Sequence, residues 1–173
     1  MKFAEDILSA VSRNECQKIS DLARGKVVLE LGSHFGRSTV ALASTAAKIH
    51  AIDWHLGDGH AGHSDSAPIF IANLTKHGVR DKVVVHVGRF EDILQLFKEK
   101  IFDFCFIDAF HTKEAVLKDA NAVFPLMKAG AVIAFHDYGH PAFGVTEGVK
   151  EFAQSKAARV SAVVDSVAVV QLP

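Results

Sequence analysis

Cysteine, tyrosine and tryptophan are scarce in this chain: two, one and one in 173 residues. Cys16 and Cys105 fall in different predicted elements and share no metal or redox spacing. Cys105 lies in an apolar run and reads as a small core residue; Cys16 reads as inert. An excess of either charge is lacking too. Nineteen Lys and Arg stand against 20 Asp and Glu, a net charge of −1 with ten neutral histidines. That balance argues against a broad nucleic-acid footprint, which needs clustered basic residues. No apolar run reaches the roughly 18 residues of a membrane span. Met1 to Asp6 carry acids where a signal peptide has its apolar stretch, so the start reads as untargeted and the protein as cytoplasmic. Repeats, linkers and low-complexity segments are absent. The length implies one domain over residues 1–173. A chain of about 150 residues can bury roughly 68–70% of its unfolded surface, enough for its own core.

What is present is an alternation of short β-branched runs with helical periodicity. Strands are predicted at 26–31, 49–54, 82–87, 102–107 and 131–135. Helices are predicted at 37–47, 68–77, 91–98, 112–123 and 145–156. Residues 3–23 have helix-like apolar spacing, which makes 1–25 an N-terminal helical segment. Val160–Val164 and Val167–Gln171 read as a hairpin around Asp165-Ser166. The expected fold is α/β and Rossmann-like. Its sheet is doubly wound, mostly parallel and seven-stranded, with a C-terminal antiparallel hairpin.

The stretch from Lys26 to Ser38 is the most informative. A strand carrying Glu30 near its end runs into a glycine turn, Gly32 to Gly36, and then a helix. That is the nucleotide cradle of an α/β sheet. The glycines are spaced Gly32-x-x-x-Gly36, whereas a dinucleotide fingerprint is G-x-G-x-x-G. Glu30 would repel a diphosphate and suits a cationic ligand end. The segment Glu30-Leu31-Gly32-x-x-x-Gly36-x-Ser38 resembles the first motif of class I S-adenosylmethionine (SAM)-dependent methyltransferases. The order of five β-α units and a hairpin agrees with that family from about residue 25 onward. The resemblance implies SAM as cofactor, with Glu30, Gly32, Ser33, Gly36 and Ser38 around its methionine end.

In an open parallel sheet, ligands bind outside the carboxyl ends of the strands. Asp53 ends the second strand and can take both hydroxyls of a ribose, with Trp54 covering the adenine. Gly88, Arg89 and Phe90 follow the third strand and, by the resemblance, border the adenine. Asp108 ends the fourth strand, and His136-Asp137 the fifth. Asp108 and Asp137 are expected to converge, with His136 adjacent. Two carboxylates and an imidazole suit Mg²⁺ or another divalent cation, which would lower the pKa of an acceptor hydroxyl.

Asp108 and Asp137 resemble the metal ligands of catechol-type and macrocin-type O-methyltransferases, and Ile107 to Val116 resembles small enzymes acting on sugars or antibiotic intermediates. The strand-five pair here is His136-Asp137, where those groups carry Asp-Asn or Asp-Asp. The lysine of the catechol-type D-A-D-K pattern falls on His111. His111 is the preferred general base, because a pKa near 6.5 suits proton removal at neutral pH. Asp108 and His136 complete the expected catalytic set, and His140 is a further rival.

Residues 55–67 form a long glycine-rich loop. His55, Asp58, His60 and His63 could be read as a zinc cluster, though spacings of five and three are weak evidence for one; the glycine and small polar residues favour a mobile lid over the acceptor site. No inserted substrate-binding domain is visible. The acceptor site must therefore come from loops or a partner subunit, which makes a homodimer one expectation. The reading is a SAM-dependent methyltransferase acting on oxygen of a small molecule, a sugar or a phenol. An NAD-dependent oxidoreductase and a non-catalytic SAM-binding scaffold are the alternatives.

Overall fold

The computed structural model describes residues 3–57 and 64–173. Asp58, His60 and His63 lie outside the described residues, and with them the zinc and lid readings of that loop. The order is α1 (Arg13–Ala23), β1 (Val27–Leu31), α2 (Arg37–Ala43), β2 (Lys48–Asp53), α3 (Ala67–Lys76), β3 (Val83–Val87) and α4 (Phe90–Leu94). Then come β4 (Phe102–Ile107), α5 (Lys113–Val123), β5 (Met127–Phe135), α6 (Val145–Ser155), β6 (Arg159–Val164) and β7 (Val167–Gln171).

The seven strands form one sheet in the order β3-β2-β1-β4-β5-β7-β6. The first five pair in parallel, and β7 joins β5 and β6 antiparallel. Strand β1 is the middle one of the five parallel strands, and its last four residues are all buried. Alternation along a strand sends side chains to opposite faces. Val28 joins a core with residues of α1, α2 and α3, while Leu29 and Leu31 join a second core beneath α5 and α6. Both faces are therefore covered, the usual condition of a parallel sheet.

The expected boundaries shift most at four places. Residues 3–12 are turns and bends rather than helix. Ser12 starts α1 through a capping box: its hydroxyl accepts from Glu15 N, and Glu15 reaches back to Ser12 N. That box satisfies donors a helix start otherwise leaves open, so the helix begins there. Helix α4 ends at Leu94 and α2 at Ala43, each shorter than the periodicity predicts. Strand β5 begins at Met127, with a register shift between Phe102 and Phe104 of its partner. Gly130, at φ +68°, falls in this irregular stretch.

Candidate functional site

A cleft of about 930 Å³ opens at the carboxyl ends of β1, β2, β4 and β5. The β1–α2 loop forms its floor. Gly32 has φ +83°, and a Cβ there would lie 1.8 Å from the Asp108 carbonyl oxygen. Only glycine lets the loop cross the end of β4 this closely. Asp53 holds the loop from the other side. Its Oδ2 accepts from Ser33 N at 2.7 Å and His34 N at 2.8 Å, and its Oδ1 from His55 N at 2.7 Å.

Gly32, Ser33, Gly36 and Ser38 all line this cleft. So do Asp53, Trp54, Gly88, Arg89, Phe90 and Asp108. Arg89 lies over the Trp54 ring, 5.4 Å from its centre. His55 turns inward, buried against Ser66 Oγ at 2.8 Å.

Glu30 is not on the wall. It is fully buried beneath the loop, where Ser38 Oγ donates to Oε1 at 2.7 Å and Thr39 Oγ1 to Oε2 at 2.6 Å. It thus ties the start of α2 to β1 instead of facing a ligand directly. Burial pushes its carboxyl up to about 8, against the pull of the two hydroxyls. Folded, Glu30 holds its proton more tightly than at its ordinary 4.5. Its contribution to stability is full below that ordinary value and declines as pH rises through about 8. Denaturant melts are expected to show Glu30→Gln losing less stability than wild type between pH 6 and 9. Glu30→Ala strands two buried hydroxyls, each worth about 1–3 kcal/mol, and equal melts of Ala and Gln variants would reject this role.

The chemistry-bearing residues converge at the ends of β4 and β5. His111 Nε2 lies 2.9 Å from Asp137 Oδ2. His136 Nδ1 lies 3.1 Å from the same oxygen and 3.3 Å from Asp108 Oδ1. Asp137 adopts φ +59°, a left-handed conformation uncommon outside glycine. That turn aims its carboxylate back at both imidazoles. Burial opposes its ionisation, but hydrogen bonds from His111 and His136 hold Asp137 well below the usual carboxylate range.

Behind His136 stands Glu15, a residue the sequence reading missed. It comes from α1 and is 2% exposed. Its Oε2 lies 3.4 Å from His136 Nε2, and its Oε1 accepts from Ser166 N at 2.8 Å and Ser166 Oγ at 2.7 Å. Burial alone would strip the His136 proton, yet Asp108, Asp137 and Glu15 push its pKa up to about 12. Glu15 is held at about 2 despite its own burial, by His136 and the Ser12 and Ser166 hydrogen bonds. His136 is therefore held as a cation here, which removes it as a proton acceptor. The S-x-x-E pattern at Ser12–Glu15 was legible as a helix start, but nothing local pointed to His136.

His111 is steadied by Phe143, stacked on it at 4.3 Å between ring centres. His140 stacks on Phe143 at 4.0 Å and does not line the cleft. One ligand atom from each of Asp108, His111 and Asp137 lies within 4.8 Å of the others. That trio, with His111 in place of the expected His136, is the candidate cation set among the described residues. Both cysteines are buried, and burial raises both thiols. Among the described residues no helix is long and apolar enough to cross a membrane.

Fold and cleft together define a nucleotide-cradling enzyme of the methyltransferase type. The family model for the methyltransferase domain matches residues 29–138, and the chain belongs to that family. It is a class I SAM-dependent methyltransferase. Among solved structures it is similar to the O-methyltransferase TomG from Streptomyces achromogenes, involved in tomaymycin synthesis and in complex with SAM. Identity is 25%, covering 94% of this chain and 81% of that one, with a TM-score of 0.69. The O-methyltransferase from Bacillus cereus in complex with SAH shares the fold at 20% identity. The match covers 99% and 84% of the two chains, with a TM-score of 0.71. Cofactor-bound Rv0187 from MTB does so at 22% identity, covering 99% and 84%, with a TM-score of 0.73. No curated protein matches the sequence.

Proposed function

We propose that this enzyme methylates a hydroxyl oxygen of a small molecule, a sugar or a phenol, with His111 as general base. The observation that carries the proposal is the 2.9 Å contact of His111 with Asp137 inside the cleft. A base held by a carboxylate keeps one tautomer and one orientation. Asp137 orients His111, and Phe143 stacks against its ring. The fixed cation at His136 helps keep Asp137 ionised at the acceptor end.

The cleft fits SAM on this chain's own features. Gly32, Ser33 and Gly36 of the β1–α2 loop line the cleft, and Asp53 and Trp54 stand at the β2 end. SAM supplies an electrophilic methyl group, so the protein's work is alignment and removal of one proton. Gly32, Ser33, Gly36 and Ser38 would surround its amino-acid end. Asp53, Trp54, Gly88, Arg89 and Phe90 would surround its adenosine. The O-methyltransferases of Streptomyces achromogenes and Bacillus cereus support oxygen as the acceptor atom.

A metal-assisted reading has its own observation, the spacing of the Asp108, His111 and Asp137 ligand atoms. Two carboxylates and an imidazole fit Mg²⁺ or Mn²⁺. Such an ion would lower the pKa of the acceptor hydroxyl, and His111 would then be a ligand. The test is transfer of labelled methyl from SAM to a panel of sugars, phenols, amines and thiols, with chelator and with added Mg²⁺ or Mn²⁺. Turnover in chelator supports the base reading; turnover only with metal, lost in Asp137→Ala, supports the metal reading. Methylation of amines or thiols alone rejects oxygen as acceptor.

A further inference from the structure

Asp119 lies in the second turn of α5, and it lines the cleft although it is only 7% exposed. Its helix face is the apolar one, since Val116, Ala120 and Val123 join the core beneath α5. It is too far along the helix to serve the N-terminus, which Thr112 caps. Among the described residues its carboxylate enters no hydrogen bond and no ion pair. The charged groups that face it are Lys118 on its own helix and Glu91 on α4, and these pair with each other at 3.0 Å. From β4 it faces the Cys105 thiol, which burial keeps neutral. Burial raises the Asp119 carboxyl to about 6, with Lys118 pulling against the rise and Glu91 adding to it.

Buried carboxylates are costly unless paired, and buried polar groups in folded proteins nearly always have partners. An unpartnered one at the wall of a cleft is an acceptor left for a donor on the ligand. Phe90 and Glu91 of α4 line the cleft with it, at the end that would hold adenosine. Adenine carries an exocyclic amino group. Phe90 offers the base a surface without sensing its substituents, whereas a carboxylate accepts from an amino group and repels a carbonyl oxygen. We propose that Asp119 accepts a hydrogen bond from the amino group of the cofactor's base, and that the free enzyme bears an unpartnered charge until the cofactor binds. The proposal rests on the SAM-dependent reading of this cleft.

Calorimetry of S-adenosylhomocysteine with wild type comes first. No binding there rejects the SAM reading and the proposal with it. The second probe is S-inosylhomocysteine, whose base carries a carbonyl oxygen in place of the amino group. Wild type is expected to prefer the adenine compound by about tenfold or more, the worth of a hydrogen bond to a charged group. In Asp119→Asn the amide can accept from an amino group or donate to a carbonyl, so the preference is expected to shrink to about threefold or less. Asp119→Ala is read on the same two probes and is expected to lose the preference as well. The thermal melt of ligand-free Asp119→Asn is expected at or above that of wild type, because a buried unpaired charge is gone. Four results would each overturn the proposal: wild type binding both compounds alike, a preference as wide in the variants as in wild type, equal weakening of both compounds, or a ligand-free melt of Asp119→Asn below that of wild type.

Discussion

His111→Ala is expected to lower kcat by about 10²–10⁴-fold, the usual worth of a positioned general base, while S-adenosylhomocysteine binds as tightly as to wild type. The split follows from position. His111 sits at the acceptor end, against Asp137 and Phe143, away from Asp53 and Trp54 at the end of β2. Single-turnover transfer measures the chemical step, and calorimetry the affinity. Asp137→Asn is expected to lose part of the same rate, because the amide keeps the shape but not the charge that orients the imidazole. Unchanged turnover in His111→Ala moves the base elsewhere. A loss of S-adenosylhomocysteine affinity equal to the loss in kcat would make His111 a binding residue.

Glu15→Ala carries the largest expected cost in stability. Removing one partner of a buried ion pair leaves the other charge uncompensated, at about 3–5 kcal/mol. Here the loss is compounded. Glu15 also closes the capping box of α1 and holds Ser166 at the β6–β7 turn. A helix cap alone is worth about 1 kcal/mol, so a denaturant melt separates the two roles. A loss near the cap value would show that the contact with His136 contributes little.

The pair also shapes the pH dependence. Glu15, held at about 2 against an ordinary 4.5, stabilises above the ordinary value, and that contribution fades as pH falls through about 2. His136, raised to about 12 from 6.5, stabilises fully below the ordinary value and loses that contribution as pH climbs toward 12. The pair is therefore worth most between about 4.5 and 6.5. Glu15→Gln is expected to flatten the acid limb of the stability curve. An acid limb as steep as that of wild type would reject the pair's part in it.

Much of this was legible because the signals are local. The β-branched run of β1, the glycine turn and the apolar periodicity of α6 each lie within a dozen residues. Their alternation dictates a parallel sheet, which puts Asp53, Asp108 and Asp137 at one edge. What misled was also local. Residues 3–12 have helical spacing, yet Ser12 and Glu15 cap the helix after them. Glu30 reads as an acid facing a ligand, but the pleat turns it beneath the loop onto Ser38 and Thr39.

By itself, then, the sequence determined the sheet, the glycine turn after β1 and the cleft at the strand ends, because periodicity and backbone freedom act between near neighbours. The fixed charge on His136 was decided only by tertiary structure. Glu15 lies 121 residues from His136 in the chain and Ser166 lies 151 from Glu15. Protonation is set by the charges a fold assembles in a buried place, and these come from α1, the end of β5 and the β6–β7 turn.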